Sequence, residues 1–258
     1  MKSLRRFEAP WALISGFAFF LAWQVAVEAF EVPAYLLPTP TAIVLDMVKH
    51  WRLLSEHALI TLWEIGLGFV VSILIAMPLA VMFTYSRIFE KLFYPLIVGT
   101  QTIPKVAVAP LFLVWFGFGL TPKVIIVTLM TFFPIVINAV VGLKSLNFQT
   151  VYLAQSMGAG PWQVFWHFRL PNALPSIFAG LKVACVLAVI GAIVAEFVGA
   201  DSGLGYLIVV AATDQNVTRQ FAAIAYLSVI GILFFWAVGY LERLLLPWHA
   251  SVRRDEEG

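Results

Sequence analysis

Charged residues are scarce in this chain of 258 residues: 12% are Asp, Glu, Lys or Arg, while 62% are apolar or aromatic. Ordinary soluble domains carry about 25% charged residues, so the composition excludes a water-soluble enzyme, a nucleic-acid-binding protein and a disordered chain. The charged side chains are too few to cover a globule of this size, and much of its surface must therefore face lipid. The net charge of +2 is too small to indicate an acidic partner.

Groups for catalysis and metal binding are also missing. The single cysteine, Cys185, excludes a disulfide framework and a cysteine-based metal site. The four histidines lack the spacing of metal ligands, so no metal site is predicted. The sequence contains no Gly-x-x-x-x-Gly-Lys-Ser/Thr phosphate loop, no Gly-x-Ser-x-Gly and no His-Glu-x-x-His. We therefore predict no catalytic residue and no cofactor in this chain.

Apolar runs long enough to cross a bilayer dominate what is present. A hydrocarbon core about 30 Å thick needs roughly 20 apolar residues in a helix. Six runs of this length are visible, and they predict an all-α polytopic membrane protein with one domain over residues 1–258. The predicted spans are residues 10–30, 59–85, 93–118, 124–143, 177–200 and 221–246.

Basic residues predict the orientation of these spans. Eleven of the 16 lysine and arginine residues fall on the side of the N-terminus, and positively charged loops stay in the cytoplasm. Six spans then place both termini in the cytoplasm. Residues 27–29 would also fit a signal-peptide cleavage site, although the apolar run before them is long for a signal peptide.

Residues 40–56 form an outer segment with a helical pattern. Thr39 could cap a helix that has Pro40 at its first position, and apolar residues recur there at helical spacing. We predict an amphipathic helix at the membrane interface, with an anchoring or a gating role.

Residues 144–176 form the longest predicted cytoplasmic loop. Gly158, Gly160 and Pro161 interrupt its helical pattern, and Leu170-Pro171 with Pro175 is predicted to end the second half before the fifth span. The apolar residues around His167 need cover, either from a groove on another protein or from the underside of the bundle.

This loop carries a motif of a known family. The chain contains the run Ala154-Gln155-Ser156-Met157-Gly158-Ala159, and nine residues separate Gly158 from the run Phe168-Arg169-Leu170-Pro171. It resembles the signature of permease subunits of binding-protein-dependent ABC importers, which reads Glu-Ala-Ala, three residues, Gly, nine residues, Ile, one residue, Leu-Pro. The chain departs from this pattern where Tyr152-Leu153-Ala154 replaces Glu-Ala-Ala and Phe168 replaces Ile.

Further runs resemble the nitrate, sulfonate and taurine type of permease, which includes vitamin-precursor importers. These runs are Gln101-Thr102-Ile103-Pro104-Lys105-Val106-Ala107, Ala109-Pro110-Leu111, Trp115-Phe116-Gly117-Phe118-Gly119, Ala195-Glu196-Phe197-Val198 and Gly203-Leu204-Gly205-Tyr206-Leu207. They lie in the order found in the family, and the resemblance covers nearly the whole chain.

The resemblance implies a type I importer permease in a bacterial inner membrane, working as a pair, usually a homodimer. It also implies two cytoplasmic ATPase subunits, which bind ATP and Mg²⁺, and a periplasmic or lipid-anchored binding protein. The loop around Gly158 would be the coupling helix in a cleft of the ATPase. The implied coupling residues are Ala154, Ser156, Met157, Gly158, Ala159, Trp162, Phe165, Leu170 and Pro171.

Ionisable residues within spans are costly and usually face a pathway or a partner. Lys105 follows Pro104, which removes a backbone hydrogen bond, and this break beside a charge predicts a kink lining the pathway. Lys105 could instead pair with Glu64 or Glu196, or extend to the interface. The predicted pathway residues are Glu64, Gln101, Pro104, Lys105, Pro110 and Glu196.

Glu64 indicates a class of solute. It lies about two turns into the second span, where sulfonate-type relatives often carry Arg. An acid near the pathway would repel a small anion, which favours a neutral or cationic pyrimidine-like or flavin-like precursor over nitrate, sulfonate or taurine.

A secondary transporter or channel is the main alternative, since six spans with buried charges suit either. It would need an ion-coupling pair of carboxylates near the bilayer midplane, and only Glu64 and Glu196 are available. It would also leave the long loop without a role. An intramembrane enzyme fits less well, because no Asp lies within a predicted span.

Overall fold

A computed structural model describes residues 8–247, and every regular element in that range is a helix. The helices are α1 (Glu8–Ala29), α2 (Pro40–Lys49), α3 (Trp51–Tyr85), α4 (Arg87–Gly99), α5 (Lys105–Phe116), α6 (Leu120–Lys144), α7 (Phe148–Ser156), α8 (Pro161–Val164), α9 (Leu170–Gly199), α10 (Leu204–Thr213) and α11 (Val217–Leu245). A 3₁₀ turn covers Thr100–Thr102, and a π turn covers Phe165–Arg169.

Four described helical runs are long and apolar enough to cross a membrane: α3, α6, Pro161–Gly199 and α11. A bent pair, Arg87–Thr102 with Lys105–Phe116, would make a fifth. The predicted first span coincides with α1, whose apolar part Ile14–Ala29 is shorter than the other crossings. Both chain ends lie outside the described residues, so six spans with cytoplasmic termini remain a prediction.

The predicted span 93–118 is not one straight helix. The break expected at Pro104 is present, and the two segments that it separates meet at 98°. Proline has no N–H and forces the preceding residue out of the helical region, and Ile103 accordingly has φ −73° and ψ 123°. The hydroxyls of Thr100 and Thr102 donate to the carbonyls of Ile97 and Gly99, which satisfies backbone groups beside the break.

The helix ending predicted at Leu170-Pro171 and Pro175 is wrong. The helical path continues from Pro161 to Gly199. The Leu170 N–H donates to the Phe165 carbonyl, so the chain forms a π turn just before Pro171. A π turn is wider than an α turn and gives room for a proline ring, and Pro171 lies at the start of α9, where its missing N–H costs least.

The described chain divides into two units. One contains residues up to Thr61 with Asp201–Ile230 and Pro247, and the other contains Leu62–Ala200 with Gly231–Leu246. All predicted coupling and pathway residues belong to the second unit.

Antiparallel packing of α6 against α9 builds the core of the second unit. Glycines allow close approach: a Cβ on Gly142 would lie 2.8 Å from the Ala173 carbonyl oxygen, and one on Gly180 would lie 2.8 Å from that of Pro134. A Cβ on Gly191 would lie 3.1 Å from the Val127 Cα. Small residues serve this purpose in membrane bundles, where lipid offers no hydrophobic driving force.

In the first unit, α2 begins as predicted and ends earlier. The Thr39 hydroxyl accepts a hydrogen bond from the Ala42 N–H at 3.2 Å, which caps the helix. The predicted helix over 40–56 stops at Lys49, because His50 (φ −115°, ψ 28°) leaves the helical conformation and α3 starts at Trp51. Arg219 forms a bidentate ion pair with Asp46, at 2.6 Å from Nε and 3.0 Å from Nη2, which ties α2 to α11.

Candidate coupling segment and translocation residues

Residues 148–169, named here the coupling segment, contain a sharp turn at Gly158. The Ala159 N–H donates to the Ala154 carbonyl and the Gly158 N–H to the Gln155 carbonyl, the two bonds of a Schellman helix end. Gly158 has φ +90°, a left-handed conformation that side chains with a Cβ rarely adopt. The glycine therefore fixes where α7 ends.

The chain restarts a helix immediately after this turn. Pro161 occupies the first position of α8, where a missing N–H costs nothing. The Gln163 side-chain oxygen accepts from the Gly160 N–H at 2.9 Å. Two short helices thus flank a rigid turn that projects Met157 and Gly158, both exposed.

The coupling segment presents apolar surface. Met157 is 81% exposed and Trp162 70% exposed, and Tyr152 and Leu153 are exposed as well. A cleft of about 420 Å³ lies along the turn. It is lined by Ala154, Met157, Gly158, Ala159, Gln163, His167 and Phe168. Contiguous exposed apolar side chains of this kind mark an interaction surface.

The predicted coupling residues do not all face outward. Ser156, Met157, Gly158 and Trp162 are exposed. Ala154 is buried, and Ala159, Phe165, Leu170 and Pro171 are half-buried. Phe165 stacks on Trp162 and packs near Tyr85, at ring-centre distances of 5.9 and 6.3 Å, so it supports the exposed residues from behind.

Arg169, which had no predicted role beyond its place in the Phe168-Arg169-Leu170-Pro171 run, attaches the coupling segment to the long helices. Its guanidinium lies over the Tyr85 ring at 5.1 Å, and its Nη1 donates to the Leu143 carbonyl at 3.4 Å. Nearby, Lys144 pairs with Glu90 at 2.5 Å. The sequence indicated this role of Arg169 only by placing a basic residue directly before the Leu-Pro motif.

The predicted pathway residues separate into two groups. Gln101 and Lys105 lie on either side of the helix break, where Lys105 Nζ donates to Gln101 Oε1 at 2.8 Å. Pro104 and Pro110 are exposed. Within the described residues Lys105 forms no ion pair, so the alternative pairing with Glu64 or Glu196 is not the arrangement of this structure.

Glu64 instead pairs with Lys123, which lies just before the predicted span 124–143. The Nζ to Oε1 distance is 2.6 Å, and both side chains are buried, 5% exposed for Lys123 and 1% for Glu64. Glu196 is 2% exposed. The α6–α9 register, in which Gly142 meets Ala173 and Val127 meets Gly191, puts Glu196 at the level of Lys123.

The sequence did not predict the role of Lys123, because its partner Glu64 lies far away along the chain. Its position directly before the predicted span 124–143 is typical of a loop end, and it lies 59 residues along the chain from Glu64. The positive charge of Lys123 balances the negative charge of Glu64. Repulsion of anionic solutes by Glu64 is therefore no longer an argument about the solute.

Within residues 8–247, no group of three His, Cys, Asp or Glu residues could hold a metal ion.

Comparison with known proteins identifies the family. A family model described as "Binding-protein-dependent transport system inner membrane component" matches residues 68–246. The chain is 41% identical to the formylaminopyrimidine transport permease protein ThiX of Halalkalibacterium halodurans, over 88% of this chain and 90% of that one. It is 38% identical to the riboflavin transport system permease protein RibX of Chloroflexus aurantiacus, over 97% and 95% of the two chains.

Other similarities are broader. The putative aliphatic sulfonates transport permease protein SsuC of Bacillus subtilis is 33% identical over 89% of this chain and 84% of its own length. Among solved structures, an inward-facing MetNI methionine ABC transporter chain superposes with a TM-score of 0.66 at 20% identity, covering 76% of this chain and 98% of that one. That likeness shows a shared fold. The chain therefore belongs to the family of inner-membrane permease components of binding-protein-dependent ABC importers.

Proposed function

We propose that this permease forms the translocation pathway of an ATP-driven importer and receives the movements of a separate ATPase through the coupling segment. In this proposal two copies of the chain, each one domain with six spans and cytoplasmic termini, assemble with two ATPase subunits and a binding protein. The alternating opening of the bundle then follows ATP binding and hydrolysis in the partner. The chain itself has no catalytic residue and binds no cofactor.

The observation that carries the proposal is the exposed apolar turn at Gly158. An importer permease needs a rigid contact with its ATPase, because a flexible loop would absorb a displacement instead of passing it on. The Schellman bonds and the Gly160–Gln163 cap supply that rigidity. Met157 and Trp162 supply apolar area that a protein partner would cover.

The pathway is proposed to pass the helix break at residues 103–104. Irregular backbone at membrane depth is tolerated where it is buried in protein or lines a water-filled cavity. Gln101 and Lys105 place an amide and an ammonium group at this break. Glu64 and Glu196 are buried in the same unit, and we propose that they act near the pathway with Lys123.

The proposed solute is a neutral or cationic pyrimidine-like or flavin-like precursor. The relatives named for formylaminopyrimidine and riboflavin support this choice, at 41% and 38% identity. The sulfonate-named relative at 33% is the competing indication. Since Lys123 balances Glu64, the preference rests on these relatives and not on the charge of Glu64.

Gentle purification of the chain from its native membrane, followed by quantitative mass spectrometry, tests the assembly. We expect one ATPase per permease, with a binding protein recovered after crosslinking. Sealed vesicles containing the complex should take up formylaminopyrimidine or riboflavin only with ATP, and taurine should serve as the anionic comparison. A chain that purifies alone and still transports without ATP would contradict the proposal and indicate a secondary transporter.

A further inference from the structure

Arg169 contacts the ends of two long helices of the second unit. Tyr85, whose ring lies under the guanidinium, is the last residue of α3. Leu143, whose carbonyl accepts from Nη1, is in the last turn of α6. One side chain of the coupling segment is therefore bound to both helices at the ends nearest that segment.

These contacts suit arginine in particular. A carbonyl in the last turn of a helix lacks an intrahelical partner and carries partial negative charge, which a cation stabilises. The planar guanidinium can lie flat on an aromatic ring while its edge donates hydrogen bonds, which a lysine cannot do. The Nε atom of Arg169 is buried and finds no hydrogen-bond partner among the described residues, so this side chain is held at an energetic cost.

The neighbouring ion pair of Lys144 and Glu90 is more exposed than the contacts of Arg169 and does not involve the coupling segment. Lys144 reaches Glu90 at the start of α4, and this pair is about one-third exposed. Surface pairs of this kind contribute little to stability. Arg169 belongs to the coupling segment and reaches α6, whereas Lys144 and Glu90 both lie outside that segment.

The helix α6 extends from the Arg169 contact to the side of α5, the helix that follows the break. At about 1.5 Å per residue, a helix of this kind is a stiff rod several turns long. Its opposite half carries Ile126, which is buried in a cluster with Ala109 of α5 and Ala195 of α9. Ala109 lies one turn after Lys105, the first residue of α5. A displacement at Leu143 can thus reach the break through packed, regular structure.

We propose that Arg169 is the positioning residue that transmits movement of the coupling segment to α6, and through α6 and α5 to the helix break at residues 103–104. This rests on the proposed function, in which the ATPase moves the coupling segment. When that segment shifts, the Arg169 contacts draw the end of α6 with it, and α5 changes its angle to α4. Without Arg169 the segment moves while the bundle does not follow.

The test uses the complex of this permease with its ATPase in lipid vesicles. A cysteine at the break, Thr102→Cys, reports exposure to a membrane-impermeant maleimide, and the native Cys185 is buried. In the complex with native Arg169, ATP with vanadate should change the labelling rate by about tenfold, within the usual range of coupling between sites. With Arg169→Gln the change should fall below about twofold while ATP hydrolysis stays within about twofold, because only the link is lost.

Three further variants make the result specific. Arg169→Lys keeps the charge and loses the planar fork, so it should recover only part of the response. Tyr85→Leu removes the ring and should reduce the response as Arg169→Gln does, which also provides the test if Arg169→Gln fails to assemble. Lys144→Gln, the matched control, removes a cation at the same end of α6 and should leave the response unchanged.

Two results would overturn this role. One is an Arg169→Gln complex in which ATP still changes Thr102→Cys labelling as in the complex with native Arg169. The other is a complex with native Arg169 that hydrolyses ATP and transports while labelling at the break never responds. Failure of the proposed function looks different, because the permease would then recover no ATPase and show no ATP-dependent uptake.

Discussion

Lys123 and Glu64 place a complete ion pair inside the membrane-spanning helices of the permease. Desolvating two charges is expensive, and their attraction offsets that cost only while both are present. The 2.6 Å contact joins α3 to the first turn of α6, and both side chains are buried. At the residue scale, the pair therefore acts as one unit whose halves cannot be removed separately.

Replacing Lys123 with Met should destabilise the permease by about 3–5 kcal/mol, because an uncompensated carboxylate stays buried. The double variant Lys123→Met with Glu64→Met should recover most of the loss. Thermal unfolding of the purified protein in detergent, followed by loss of the monodisperse peak, measures both. A double variant as unstable as the single variant would show that the loss of stability does not come from leaving Glu64 without its partner.

At the element scale, the ion pair between Asp46 and Arg219 holds α2 against α11. Asp46 receives two hydrogen bonds from Arg219 and faces His50 at 3.0 Å. Burial raises the pKa of Asp46, but the hydrogen bonds and charges of Arg219 and His50 outweigh burial and hold it below its ordinary value of 3.8.

The lowered pKa of Asp46 predicts acid-sensitive docking of α2. The stabilisation is present above pH 3.8, the ordinary value, and is lost as the pH falls below it through the lowered folded-state pKa. The protection of the backbone amides over Pro40–Lys49, measured as the ratio of intrinsic to observed hydrogen-exchange rate, should therefore be high at neutral pH and should fall below pH 3.8. Asp46→Asn should show fast exchange at neutral pH, whereas Lys49→Gln, an exposed change on the same helix, should behave like the native protein.

The turn between α7 and α8 offers a matched pair of glycines. Gly158 has φ +90°, so any side chain strains it, whereas Gly160 has φ −72° and space for a Cβ. Gly158→Leu should separate ATP hydrolysis from uptake while the protein still folds and inserts, because the strain of about 1–3 kcal/mol displaces only the turn. Gly160→Ala is expected to transport normally, and normal transport by Gly158→Leu would contradict the placement of the coupling segment.

At the scale of the whole molecule, this membrane permease exposes an apolar coupling surface that the proposed assembly would cover. In detergent, Met157→Cys should react quickly with maleimide in the isolated chain and about tenfold more slowly in the complex with the ATPase, because a close-packed interface excludes reagent and water. Glu56→Cys, an exposed position on the first unit, should react equally in both. Unprotected labelling at Met157→Cys in a complex that hydrolyses ATP would place the ATPase contact elsewhere.

Periodicity and motif spacing predicted much of this architecture. Long apolar runs predicted the helices α3, α6, α9 and α11, since lipid leaves the backbone few alternatives to helix. The Gly158 and Leu-Pro spacing predicted the family, which comparison confirmed. The helix ending at Pro171 was predicted wrongly, because a π turn is a response of the backbone that single-residue propensities do not contain.

The sequence by itself determined the membrane environment, the helical class and the family, because these depend on composition, on runs of apolar residues and on motifs local in the chain. Tertiary structure decided which charges meet. Glu64 pairs with Lys123, and Arg169 reaches Tyr85 and Leu143. Such partners lie dozens of residues apart, and only the packing register of the helices brings them within hydrogen-bonding distance.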